Sequence, residues 1–227
     1  VNQINKNKYL SKLYSVTLND HNNNGIYLKD DKVILNNKVL CNKTLKTNLI
    51  GRHNLSNILF CLTICDILNL SIEEAIVSIS SFEPLEHRLE LVGTYNGITY
   101  YNDSISTIPE ATITAIETLK EVDTLILGGK DRGIDYSKLI KYLYNSNINN
   151  LICMPTTGYK IGKEIEKLVH DKNVYYIELL EDAVKKAKNV TKKGKICLMS
   201  PAASSYEYFK NFEEKGKKYK EYVRENN

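Results

Sequence analysis

No stretch of this 227-residue sequence is apolar for long enough to cross a bilayer as a helix. The opening residues, VNQINKNKYL, have no apolar h-region, so they do not read as a secretory signal. They also lack an initiator methionine, and the expectation is a piece of a longer protein. Five cysteines, an odd number with no C-x-x-C among them, argue against a disulfide scaffold and for a reducing, cytoplasmic setting. Cys61 and Cys65, four apart in an apolar run, are expected to fill a core. His21, His53, His87 and His170 have no metal-ligand spacing. G-x-x-x-x-G-K-[ST] is missing, and its nearest relative, GYKIGKE, has the wrong glycine spacing and Glu164 at the hydroxyl position. G-x-S-x-G is missing too. Zinc chemistry and nucleophilic hydrolysis therefore find little support, and the phosphate-loop motif does not occur. A formal net charge of +4 is too weak to imply nucleic acid. The basic tail, EEKGKKYKEYVRENN, reads as a solvated helix face.

What remains is an ordinary globular balance, 42% hydrophobic and 26% charged, long enough for one large domain or two small ones. Residues 26–41 hold β-rich runs broken at Asp30-Asp31 and Asn36-Asn37, the pattern of a small antiparallel meander. An apolar helix is expected over 57–68. Ser71 with Glu74 three residues on has capping-box spacing ahead of a second helix. SFEPLEHR, around Pro84, reads as a linker, dividing the chain into 1–86 and 87–227.

Beyond it, two strands meet at Asn96-Gly97, a strong hairpin signal. Strands and helices then alternate: a helix over 109–119, VDTLILGG, a helix capped by Asp135, NLICMP, GYKIGKEIEKLV, NVYYIEL, EDAVKKAKNV and KICLMSP. Closing helices are expected from about 206 to 225. Alternation of this kind predicts an α/β fold with a mostly parallel sheet and helices on both faces. Ligands of such sheets bind beyond the carboxyl ends of the strands. Polar turns stand there: NDSIST, GGKDRG and SPAASS.

Each turn has a functional and a plain reading. Gly128 and Gly129 permit a sharp bend, and Lys130 and Arg132 suit a carboxylate or phosphate; an ordinary loop with solvated charges fits as well. Ser204 and Ser205 precede an expected helix whose N–H groups would attract an anion; a simple N-cap serine is the plainer reading. Asp103 suits sugar hydroxyls or a metal, with hydroxyls at Ser104, Ser106 and Thr107; a polar turn suffices. His87 and Arg88 beside the linker suit a nucleotide, or form a surface pair. Asn54 and Asn57, three apart, suit an adenine edge or cap a helix.

Taken in order, GRHNLSN, EHRLE, YYNDSIST, LGGKDRGIDY and SPAASSYEYFKNFEEKG resemble the D-glutamate-adding branch of the Mur ligase family, from about Gly51 to the end. The FKNFEEKG block sets this branch apart from other Mur ligases and from folylpolyglutamate synthetases. The resemblance implies the rear part of a central ATPase domain, then a Rossmann-like C-terminal domain with a mostly parallel sheet. It implies ATP and Mg2+ as requirements of the whole enzyme, with UDP-N-acetylmuramoyl-L-alanine and D-glutamate as substrates and an acyl phosphate between them. It places Asn54, Asn57, His87, Arg88 and Asp103 at the nucleotide. Thr107, Arg132, Ser205, Tyr206 and Phe212 fall at D-glutamate. Arg132 stands where the family usually has Lys. Ile105 and Ile108 replace the Lys and final Asn of the commoner NDSKATN, so a phosphate role at Ile105 is lost. Tyr206 replaces a common Leu. A monomer acting in peptidoglycan synthesis is implied, with no activity expected from this chain alone. The alternative from another class is a non-catalytic nucleotide-binding or interaction module.

Overall fold

The computed structural model describes residues 14–19, 25–30, 32–42, 47–168, 171–206 and 208–225. The chain divides into two compact units, Val1–Glu83 and Pro84–Asn227. The opening residues, Asp31, His21 and His170 lie outside the described residues.

In the first unit, β2 (Gly25–Lys29), β3 (Lys32–Leu35) and β4 (Lys38–Asn42) form the expected antiparallel meander, with β1 (Ser15–Val16) parallel to β2. Asn36 and Asn37 turn the chain with φ of 49° and 64°, the left-handed region that asparagine tolerates. Helices α1 (Arg52–Ile67) and α2 (Ile72–Ser81) follow. Ser71 caps α2, accepting from Glu74 N at 3.2 Å.

Helix α1 starts five residues earlier than its apolar run predicts, from Gly51. It packs Ile58, Leu59 and Leu62 against Ile26, Val33 and Leu35. Cys61 is exposed and Cys65 half-buried, contrary to the expected core role. Cys61 projects roughly a third of a turn from the centre of the buried stripe, so apolar neighbours in sequence do not become neighbours in space.

In the second unit, β5 (Glu90–Tyr95) and β6 (Ile98–Asn102) form an antiparallel hairpin. Asn96 and Gly97 adopt φ of 51° and 83°, the two positive values that a type I′ turn requires. The sheet continues with β10 (Ile196–Met199), β7 (Val122–Leu127), β8 (Asn150–Cys153) and β9 (Asn173–Tyr176), every step from β6 onward being parallel. Strand β7 is buried along its whole length, as expected for a central parallel strand with both faces covered.

Alternate residues serve opposite faces. Leu125, Leu127 and Leu151 pack with Ala115 and Ile116 of α3 (Pro109–Leu119), Leu139 and Leu143 of α4 (Ser137–Asn145), and Ile161 and Ile165 of α5 (Thr157–Glu166). Ile126, Ile152 and Cys197 pack with Ala183, Val184 and Ala187 of α6 (Leu180–Val190), and with Tyr219 and Val223 of α7 (Phe212–Arg224). The sheet is wound on both faces, the arrangement expected from the alternation. Asp135 stands one residue before the cap of α4, with Oδ1 accepting from Ser137 N at 2.9 Å.

The closing segment departs from its reading. One helix forms there, starting at Phe212, not near 206. Asn211 caps it, Oδ1 accepting from Glu214 N at 2.8 Å. The described residues before it, 205–206 and 208–211, form turns and bends, with Phe209 N donating to Ser205 O. Ser204 and Ser205 therefore precede no helix, and the helix-dipole reading of that turn fails. Nor is the basic tail only a solvated face: Lys215, Gly216, Tyr219, Lys220 and Val223 form a buried stripe at helical spacing.

Candidate functional site

Strands β6, β10 and β7 are adjacent and parallel, and Met199 stands opposite both Asn102 and Ile126. Their three following turns therefore leave the same rim, and backbone hydrogen bonds tie them together. Asp103 N donates to Met199 O at 2.9 Å, Gly128 N to Pro201 O at 2.9 Å, and Lys130 N to Ser204 O at 2.8 Å. A Cβ at Gly129 would sit 2.3 Å from Ser204 O, and its φ is 154°. Only glycine permits this approach.

In the turn after β6, Asp103 is buried, and neither carboxylate oxygen is free. Oδ1 accepts from Leu89 N at 3.2 Å and Oδ2 from Ser200 Oγ at 2.7 Å. Burial raises its pKa, against the hydrogen bonds from Ser106, Ser200 and Leu89. Asp103 thus links the three segments before any ligand arrives. Thr107 is half-buried at the end of the same turn.

His87 is buried, not a surface residue, and takes a positive φ of 67°; Arg88 beside it is exposed. Asn102 Nδ2 donates 2.9 Å bonds to His87 Nδ1 and to Glu90 Oε2. That amide orientation makes Nδ1 the acceptor and leaves the imidazole proton on Nε2. Burial lowers the His87 pKa and so favours the neutral ring, against the pull of Glu86 and Glu90.

In the turn after β10, Ser205 is 4% exposed. Its Oγ has no hydrogen-bond partner among the described residues. A buried hydroxyl left unpaired is costly and calls for an explanation. Tyr206 is 71% exposed. Phe212, in the first turn of α7, meets the His87 ring edge-on with centroids 6.0 Å apart. Arg132 is exposed on the turn after β7, which is further held by the Asp131–Lys160 ion pair and by Thr157 N donating to Gly129 O at 3.0 Å.

Helix α7 closes this rim. A Cβ at Gly216 would stand 2.3 Å from His87 Nδ1 and 2.5 Å from Ser104 Oγ. Lys220 Nζ bridges Glu86 at 2.5 Å and Glu90 at 2.8 Å. Lys215, 2% exposed, donates to Gly128 O at 2.9 Å, and burial pushes its pKa down to about 7. The lysine-rich sequence did not single out Lys215; its three-residue spacing from Phe212 and four-residue spacing to Tyr219 was the available signal.

The structure thus brings Thr107, Arg132, Ser205, Tyr206 and Phe212 onto one set of turns around α7, with His87, Arg88 and Asp103 on the same unit. Asn54 and Asn57 belong to the first unit, on α1. Asn54 Nδ2 donates to Ile50 O at 2.8 Å, and Asn57 Nδ2 reaches Asn54 Oδ1 at 3.5 Å. Asn54 is half-buried and Asn57 exposed. Among the described residues, no three His, Cys, Asp or Glu side chains gather as a metal site, and no helix is long and apolar enough to cross a membrane.

Residues 87–203 match the family described as Mur ligase, glutamate ligase domain. A UDP-N-acetylmuramoylalanine--D-glutamate ligase of Caldanaerobacter subterraneus is 36% identical over 204 residues, covering 88% of this chain and 44% of that protein. The enzyme of the same name from Oenococcus oeni is 37% identical over 211 residues, covering 92% and 46%. The chain spans about half the length of the curated relatives it matches. Among solved structures, the UDP-N-acetylmuramate-alanine ligase of Thermotoga maritima superposes with a TM-score of 0.61 at 18% identity, covering 84% of this chain and 41% of that one. That likeness speaks for the fold. The domain match extends from His87 to Ala203, taking in the turns after β6 and β7 and the start of the turn after β10: the chain belongs to the Mur ligase family.

Proposed function

We propose that this chain is the amino-acid-binding part of an ATP-dependent ligase that adds D-glutamate to UDP-N-acetylmuramoyl-L-alanine. The observation that carries the reading is the shared rim: three strand-end turns held together, with an exposed guanidinium at Arg132 and a buried, unpaired hydroxyl at Ser205. The names of the relatives and the glutamate ligase domain match support it.

On this reading Arg132 pairs with one carboxylate of D-glutamate, in a geometry a guanidinium can make bidentate. Ser205 Oγ donates to the other, gaining the partner it lacks. Thr107 adds a hydroxyl, Phe212 an apolar wall, and Tyr206 its backbone. Asn54 and Asn57 face adenine. His87 offers only Nε2–H to a nucleotide, because Asn102 occupies Nδ1. Arg88 is free to meet phosphate, and Asp103 acts by holding its turn.

ATP transfers its γ-phosphoryl to the alanyl carboxylate of the UDP-linked substrate, releasing ADP. The neutral amine of D-glutamate then attacks the acyl carbon. The tetrahedral intermediate collapses with loss of inorganic phosphate and a proton, leaving the amide. These residues align the amine, and orientation is the main contribution they make. Among the described residues no three His, Cys, Asp or Glu side chains gather in a cluster suited to Mg2+.

The test is ADP release by the product of the complete gene, offered D-glutamate, L-glutamate, L-lysine or meso-diaminopimelate. Turnover is expected with D-glutamate alone, and none from this chain by itself. Preference for another amino acid, or no ATP turnover with any, contradicts the proposal; the second outcome favours a binding module.

A further inference from the structure

We propose that Lys215 is a positioning residue, which fastens the turn bearing Arg132 to the helix bearing Phe212. The inference rests on the reading of that rim as the amino-acid site. Lys215 Nζ donates to Gly128 O at 2.9 Å. The only other interaction recorded for it among the described residues is the Phe209 ring, 5.9 Å from Nζ. It is 2% exposed, and among the described residues no carboxylate pairs with it.

Stability does not explain such a residue. A buried cation without a counter-charge is costly, and an apolar side chain of the same shape would suit the slot better. What the ammonium supplies is a fixed point. Gly128 opens the turn that carries Arg132, and its carbonyl is the acceptor that Lys215 holds. Phe212 lies three residues earlier on α7, on the same helix face. Gly128 N is meanwhile bound to Pro201 O and Lys130 N to Ser204 O, so the same anchor also bears on the turn of Ser205. One side chain therefore sets the spacing among three members of the proposed D-glutamate pocket without touching the ligand. The nitrogen donates whether charged or neutral.

The test is Lys215→Met, an unbranched side chain of similar length that removes the donor. In the product of the complete gene, KM for D-glutamate should rise about tenfold, the upper end of what losing one hydrogen bond costs. At saturating D-glutamate, kcat should stay within about threefold of wild type. The thermal midpoint should equal or exceed that of wild type, and Lys215→Arg should recover most of the KM. In this chain itself, hydrogen exchange at the Gly128 and Lys130 amides should accelerate in Lys215→Met. An unchanged KM, a KM change that follows only a fallen midpoint, or failure of Lys215→Met to fold would each overturn the proposal in favour of a purely structural lysine. If the wild type ligates no D-glutamate, the functional reading fails instead. The exchange measurement then decides the anchor alone, and unchanged exchange overturns it.

Discussion

At the scale of single residues, the site is set by side chains already engaged with protein. Both Asp103 oxygens are held by Leu89 N and Ser200 Oγ, and His87 Nδ1 by Asn102. Ser205 Oγ is not held: like Ser104 Oγ, it is buried with no hydrogen-bond partner among the described residues. Lys215 gives a prediction with a definite sign. Its folded pKa is about 7, against 10.5 when unfolded. Between these values the unfolded chain binds a proton that the folded chain has released, so stability rises with pH across that window. Below pH 7 both states are protonated, and the folded state bears the full penalty of the buried charge. Wild type should therefore gain about 2 kcal/mol on Lys215→Met between pH 7 and pH 9. Urea unfolding of both at the two pH values measures it. Equal gains would show that Lys215 does not titrate there.

At the scale of elements, α7 is the part that organises the rim. Its buried stripe leaves no room at Gly216 for a methyl group beside His87 and Ser104. Alanine would improve helix propensity by about 1 kcal/mol, but the clash should outweigh that. Gly216→Ala is expected to destabilise the chain by roughly 1–3 kcal/mol in urea unfolding. A variant as stable as wild type would mean that α7 does not pack as described. This helix was also the least legible from sequence. Five lysines and arginines from Lys215 to Arg224, with Glu221 among them and Glu213 and Glu214 just before, look like a solvated face. Burial of Lys215 and Lys220 comes from tertiary packing, which lets long aliphatic stems cover a core. Ser204-Ser205 offered an earlier cap than Asn211, so the start was misplaced. By contrast, Asn96-Gly97, Ser71 and the unbroken VDTLIL run were legible because each depends on local geometry or on burial from both sides.

At the scale of the whole molecule, the sheet order explains why distant motifs meet. Residues 103–107, 128–132 and 200–206 are far apart in sequence, yet β6, β10 and β7 are neighbours. The motifs and the winding were readable in advance, whereas the exact partners were not. Which residue turns inward depends on register and on side chains supplied by α7. The same limit applies to Cys61, which is exposed although its run in sequence is apolar. The central claim is that this rim holds the carboxylates of D-glutamate, and Arg132→Ala in the product of the complete gene tests it most directly. KM for D-glutamate should rise by about two orders of magnitude, as loss of a bidentate charged contact implies, with KM for ATP within about twofold of wild type. An unchanged KM for D-glutamate, alongside normal turnover, would contradict the account.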